Sequence, residues 1–259
     1  MSTTLPRPRL HAVATGSKGP TLVFLHYYGG SSRTWAPLIS ALPPGQRTLA
    51  IDFRGWGQSE RPSDGYTLAD YADDVMALLA ERGVEDYALI GHSMGGKVAQ
   101  LIASRRPAGL RRLVLVAPAT PTPLALPPEA LAGFVTVYDT RESIEGALRN
   151  MLVAAPLPAD LHEQVIEDSL GGAPEAKAAW PLDISQEDIS DAVRRIDVPV
   201  LVLSGSEDKV DPTATLKATL LPLLADAELH PLAGRGHLLP LEAPGDVARI
   251  LAAWLPSHA

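Results

Sequence analysis

Five short runs of consecutive apolar residues constrain this chain more than any other feature. They are Thr21-Leu22-Val23-Phe24-Leu25, Thr48-Leu49-Ala50-Ile51, Tyr87-Ala88-Leu89-Ile90, Leu113-Val114-Leu115-Val116 and Val200-Leu201-Val202-Leu203. Successive strand residues point to opposite faces, so a run that is apolar throughout must be covered on both faces. That describes the inner strands of a parallel sheet between two layers of helices. His11 to Ala14 and Glu228 to Pro231 are two shorter strand candidates.

Helical patterns lie between the runs. Leu68 to Arg82 carries Tyr71, Val75, Leu78 and Leu79 at helical spacing, and Gly83 is its stop. A helical run continues from about Gly96 through Lys97 to Arg105, and Asp246 to Trp254 puts Val247, Ile250, Leu251 and Trp254 on one face. Alternation of this kind predicts a doubly wound α/β sheet. It breaks after Pro118, where Pro121, Pro123, Pro127 and Pro128 open a stretch with helix-like pieces at Glu129–Tyr138, Ser143–Leu152 and Ala159–Leu170 and no strand signal. The expected organisation is therefore a core of residues 1–118 and 190–259, with residues 119–189 as a helical cap.

Charge removes whole classes of partner. With 22 Lys and Arg against 30 Asp and Glu the net charge is −8, which argues against a nucleic-acid backbone and against docking on an anionic membrane. The absence of cysteine excludes disulfides, thiolate metal sites and a cysteine nucleophile. The basic start Met1-Ser2-Thr3-Thr4-Leu5-Pro6-Arg7-Pro8 is not followed by an apolar stretch, and no apolar run approaches the roughly 20 residues that span a bilayer. A cytoplasmic protein is expected; the oligomeric state is left open.

The chemistry centres on Gly91-His92-Ser93-Met94-Gly95. The run lies between the strand ending at Ile90 and the helix that follows. A serine on so sharp a strand-to-helix turn is strained and exposed above the sheet, and the helix behind it aims free amides, Met94 foremost, at a developing oxyanion. A nucleophilic serine needs a base, and the base needs an orienting acid. Of the seven histidines, His237 lies on a glycine-flanked loop between the last strand candidate and the last helix. His230 falls within that strand as a packed structural residue, and His11, His162 and His258 are peripheral. The acid belongs on the loop after Leu203, where Asp208 is favoured and Glu207 and Asp211 compete. His26, just after the first strong strand, reads as a residue that pins its loop. Lys97, about one turn after Ser93, reads as packed or solvent-facing.

Together these pieces resemble the α/β-hydrolase superfamily over nearly the whole chain. His26-Tyr27-Tyr28-Gly29-Gly30 looks like its His-Gly-x-x-Gly loop and Asp52-Phe53-Arg54-Gly55-Trp56-Gly57-Gln58-Ser59 like its Asp-x-Arg-Gly-x-Gly-x-Ser segment. The elbow, acid loop and histidine loop follow in order. The resemblance implies a mostly parallel, eight-stranded-type sheet with an inserted helical cap. It also implies a triad of Ser93, Asp208 and His237, with the amides of Tyr28 and Met94 as oxyanion donors and neither cofactor nor metal. Tyr27 departs from the pattern, standing where the family has glycine, so a side chain enters the pocket or the loop takes another shape. The Asp52–Ser59 segment reads as a tight loop beneath the site.

Serine at the elbow excludes relatives resembling haloalkane dehalogenases and epoxide hydrolases, which carry aspartate there. The expected activity is hydrolysis of a small to medium, largely uncharged carboxylic ester. Lactonases, cofactor-free haloperoxidase-like perhydrolases and carbon–carbon hydrolases of ring-cleavage products share the triad. His92 disfavours the last, which more often carry Asn before the serine. A silent hydrolase fold acting as a ligand receptor is the reading outside enzymes. Tyr27, Phe134, Tyr138 and Trp180 are the candidate pocket residues. Phe134, Tyr138 and Trp180, with Leu131, Val135, Met151 and Leu152, line the pocket or pack the cap's own core, the latter being the better reading for most of them.

Overall fold

The computed structural model describes residues 7–255; the residues 1–6 read above for a leader, and His258, lie outside them. Seven strands form one sheet: β1 Ala12–Thr15, β2 Lys18–Leu25, β3 Gln46–Ile51, β4 Tyr87–His92, β5 Leu110–Val116, β6 Val200–Gly205 and β7 Ala227–Leu232. Their order is β1-β3-β2-β4-β5-β6-β7, antiparallel between β1 and β3 and parallel elsewhere. The sheet is a doubly wound α/β sheet of the α/β-hydrolase type, with seven strands among the described residues where the full type has eight. The seven strands correspond to the seven strand-like segments of the sequence.

The helices are α1 Ala36–Ala41, α2 Leu68–Glu81, α3 Met94–Ser104, α4 Pro128–Val135, α5 Arg141–Ala147, α6 Ala159–Leu170, α7 Pro174–Leu182, α8 Ser190–Val193, α9 Thr213–Thr219, α10 Leu239–Glu242 and α11 Pro244–Trp254. Side-chain alternation divides the sheet between two cores. Leu22, Phe24, Ile90, Val114 and Leu201 join Leu38 of α1 and Val247 and Leu251 of α11 on one face. Val23, Leu25, Leu89, Leu113 and Val202 join Tyr71 and Val75 of α2 and Val98 and Ile102 of α3 on the other. Burying a Leu, Ile or Val side chain contributes about 1.5–3 kcal/mol, and a strand buried on both faces collects that at every position. Register follows: Phe24 stands beside Ile90, Ile90 beside Val114 and Val114 beside Leu201.

Between β5 and β6 the described residues form no strand, only α4 to α8 and short turns. The expected helix at Ala159–Leu170 has those bounds, whereas the Ser143–Leu152 pattern begins at Arg141 and loosens into a π-helical turn at Leu148–Leu152. Helix α7 escaped the sequence pattern because Pro174 and Pro181 lie in it. Pro174 occupies the first turn, where its missing N–H is not needed, and Pro181 falls near the end. Helices α1, α8 and α10 are too short to show a period.

Strand order reverses about β2, with β3 on one side and β4 on the other. Open α/β sheets have a crevice at the carboxyl ends of strands at such a point. Here it is sharpened by the close approach of α3 to β2. A Cβ on Gly95 would lie 2.4 Å from the Leu25 carbonyl oxygen and 2.5 Å from that of His26. Substituting Gly95→Ala is expected to destabilise the fold by about 1–3 kcal/mol through overpacking. The measurement is urea denaturation, and an unchanged midpoint would contradict the close packing.

Candidate active site

Ser93 sits between β4 and α3 at φ 52°, ψ −116°, a conformation that costs a non-glycine residue about 1–3 kcal/mol. The surroundings impose it. The Ser93 amide donates to Val116 O at 3.2 Å, while its carbonyl accepts from Ala119 N and Lys97 N, each at 3.1 Å. A Cβ on Gly91 would meet Gly95 O at 2.3 Å. Helix α3 starts at Met94, two residues earlier than the sequence pattern suggested, because the elbow itself forms its first turn.

The carboxyl ends of β6 and β7 bring Asp208 and His237 together. His237 Nδ1 and Asp208 Oδ2 are 2.9 Å apart, with both side chains almost wholly buried. Asp208 Oδ1 accepts from the amides of Val210 at 2.8 Å and Asp211 at 3.0 Å. Burial works to raise the Asp208 carboxyl, but the facing imidazole and these amides outweigh it and hold the group below its ordinary value. Burial works to lower His237; the charge and hydrogen bond of Asp208, with smaller help from Asp211 and Glu242, outweigh it and raise the imidazole above 6.5. Of the two competitors for the acid position, Glu207 is exposed and Asp211 is buried, and neither carboxyl hydrogen-bonds to His237.

The histidine loop is held firmly, contrary to the mobility its glycines suggest. His237 N and Leu238 N both donate to Leu152 O, at 2.9 and 3.1 Å. The Glu242 carboxylate accepts from Gly236 N at 3.0 Å, Leu238 N at 3.1 Å and Ala154 N at 2.9 Å. His92 Nε2 donates to His237 O at 2.8 Å. Burial lowers His92 to about 3, so it is neutral with its proton on Nε2, the atom facing that carbonyl. Nothing in the sequence singles out Glu242, because a lone carboxylate at the end of the one-turn helix α10 has no distinctive spacing.

The loop after β2 forms the opposite wall. His26 is fully buried and lowered to about 4 by burial; Nδ1 donates to Tyr27 O at 2.7 Å and Nε2 accepts from Phe53 N at 3.1 Å. Both nitrogens are occupied, which suits a residue that pins the loop. Below it, Asp52 accepts from Ser32 N at 2.5 Å, Gln58 N at 2.9 Å and His11 Nδ1 at 2.8 Å, and so ties three segments. Tyr28 O accepts from Tyr138 O–H at 3.0 Å, and Tyr28 O–H donates to Lys177 O at 2.9 Å. The amides of Tyr28 and Met94 donate to no described residue.

Tyr27, Tyr28, Phe134, Tyr138 and Trp180 line one cavity with Ser93 and His237. Met151 and Leu152 line it too, whereas Leu131 and Val135 do not. Tyr27 fills the space a glycine would leave: its ring centroid is 5.1 Å from that of His92, against Gly30. Lys97 and Asp211 also reach the cavity wall, so Lys97 is packed and not solvent-facing. His230 departs from the expected packed position. Strand β7 is an edge with one neighbour, so His230 faces solvent and approaches Glu228 at 3.3 Å. His162 on α6 is away from the cavity. Among the described residues no group of three or more His, Asp or Glu side chains is arranged to hold a metal ion, and no helix is long and apolar enough to cross a membrane.

The chain is similar to a non-heme haloperoxidase of Rhodococcus erythropolis, 29% identical over 238 residues, covering 85% of this chain and 86% of that protein. It is likewise similar to a bifunctional esterase/perhydrolase of Acinetobacter calcoaceticus, 28% identical over 258 residues and covering 92% of each. The esterase structure from Exiguobacterium antarcticum superposes with a TM-score of 0.87 over 95% of both chains at 20% identity, a likeness of fold. The model of the alpha/beta hydrolase family matches residues 22–250, spanning the strained serine turn, the acid loop and the histidine loop; the chain belongs to that family.

Proposed function

We propose that the protein is a serine hydrolase that cleaves a small to medium, largely uncharged carboxylic ester through an acyl-enzyme on Ser93. The observation that carries this reading is the His237–Asp208 pair at 2.9 Å beside a strained Ser93 on one cavity wall. His237 Nε2 takes the Ser93 proton as Oγ attacks the ester carbonyl. The amides of Tyr28 and Met94 receive the oxyanion, a contribution of roughly 3–4 kcal/mol each in the transition state. His237 returns its proton to the leaving alcohol, then takes one from water as its oxygen attacks the acyl carbon, and passes that proton to Ser93 Oγ when the bond between the acyl carbon and Oγ breaks and the acid is released. Asp208 holds the imidazole in the required tautomer and stabilises its protonated form.

Residues 119–189 act in this reading as the cap over a core of residues 1–118 and 190–259. Phe134, Tyr138 and Trp180 give the cavity an aromatic wall suited to an uncharged acyl group, and Tyr27 limits its size from below. The two relatives named haloperoxidase and esterase/perhydrolase favour a second reading of the same intermediate, with hydrogen peroxide in place of water as the acyl acceptor.

Ser93→Ala is expected to lower kcat/KM on p-nitrophenyl acetate by roughly 10⁴-fold or more, and to abolish the stoichiometric fluorophosphonate labelling of the wild type. Unchanged turnover in that variant would overturn the proposal. Adding hydrogen peroxide and measuring peracid formation separates the two acyl acceptors.

The base must be neutral, so activity is present above the folded pKa of His237 and lost as pH falls through it. Because Asp208 raises that pKa, the acidic limb of kcat/KM is expected to have its midpoint above 6.5. Asp208→Asn is expected to move the limb to lower pH while cutting the rate. A limb that stayed in place would mean that Asp208 does not set it.

Glu242→Ala frees three loop amides without touching the reacting groups. A drop in kcat of about 10-fold is expected from misplacement of His237, with the far-ultraviolet circular dichroism retained.

A further inference from the structure

Two buried ionisable side chains that this chemistry leaves unused face the cavity, with the exposed Lys209, which donates to Asn150 O at 3.1 Å, also on its wall. Lys97 is 1% exposed, and its Nζ has a single long contact, 3.4 Å to Ser185 O. Asp211 is 5% exposed and its carboxyl accepts no hydrogen bond from a described residue, its backbone amide alone being engaged, at 3.0 Å to Asp208 Oδ1. No ion pair within 4.0 Å joins Lys97 and Asp211 among the described residues. Burying a charge without a close partner costs free energy, so a purely structural pair would be expected to close on itself. These two groups stay apart on an otherwise largely apolar wall, one turn along α3 and three residues along the acid loop from Ser93 and Asp208 respectively.

We propose that Lys97 and Asp211 form a specificity subsite for a hydroxyl group carried by the substrate, the Lys97 ammonium donating to the hydroxyl oxygen and the hydroxyl donating to the Asp211 carboxyl. This rests on the acyl-transfer reading of Ser93. A hydroxyl both accepts and donates, so a single group satisfies both side chains. An anionic group suits the wall less well, because Lys97 already lies in the field of the Glu187, Asp188 and Asp211 carboxylates, Asp211 lies beside Asp208, and the other lysine on the wall, Lys209, is exposed and donates to Asn150 O at 3.1 Å. Burial pulls Lys97 down to about 8 and pushes Asp211 up to about 7. Lys97 stands four residues beyond Ser93, about 6 Å of helix rise.

Two pairs of esters test this in the wild-type protein: phenyl butyrate against phenyl 3-hydroxybutyrate, and propyl butyrate against 2-hydroxyethyl butyrate, with monophenyl succinate as the anionic comparison. The hydroxyl-bearing member of at least one pair is expected to be favoured by about 10-fold or more in kcat/KM. Lys97→Met and Asp211→Leu are each expected to bring that ratio near one; a general loss of activity cancels within a ratio. Equal turnover of both pairs, a preference that survives both substitutions, or a preference for the succinate overturns the subsite. Turnover of every ester at parity leaves the acyl-transfer reading standing and removes only this inference. No turnover of any of them, together with no labelling of Ser93 by a fluorophosphonate, removes both.

Discussion

Burial of the central strands on both faces is the constraint on which the rest of this molecule depends. With Leu22 and Phe24 against α1 and α11, and Val23 and Leu25 against α2 and α3, the sheet has no open face on which polar chemistry could sit. Polar groups can collect only where strands end. The reversal of strand order about β2 opens those ends into a crevice, and four strands deliver their loops there. Strand β2 leads to Tyr27 and Tyr28, β4 to Ser93, β6 to Asp208 and β7 to His237.

Holding those loops is the work of well-paired polar groups, Asp52 and His26 buried and Glu242 half-buried. Asp52 ties three segments below the site, and neutral His26 spans Tyr27 and Phe53. Glu242 gathers amides from both sides of the histidine loop. Each of these groups would be costly to bury unpaired, so each fixes its loop as firmly as it is itself satisfied. Lys97 and Asp211 stand out against this background because they are as deeply buried and far less satisfied.

The helical insertion enters the same balance. Tyr28 is gripped through its carbonyl by Tyr138 and through its hydroxyl by the Lys177 carbonyl, so the loop that offers a free amide to the cavity is shaped by residues far away in the chain. Leu152 O plays the corresponding part for the histidine loop. The sheet and the helical segment between β5 and β6 therefore meet at the loops that carry Tyr28 and His237.

Much of this was legible in the sequence because its signals are local. Short unbroken apolar runs rich in β-branched residues read as strands covered on both sides, and Gly91 and Gly95 flanking Ser93 mark a turn too tight for a Cβ. The separation of Asp208 from Glu207 and Asp211 was not local. It depends on which carboxylate the acid loop aims at an imidazole 29 residues further on, and only the packed loops decide that. The same holds for His230, whose strand-like sequence says nothing of its place at the sheet edge, and for Glu242, whose amide partners Gly236, Leu238 and Ala154 converge on it only in the folded chain. By itself the sequence determined that this chain is a doubly wound sheet with a serine on a strained turn, since period, burial and glycine sterics act between neighbours. Tertiary structure alone decided which charged groups meet, which stay apart and which face the cavity, since those are distances between residues that the chain order leaves far separated.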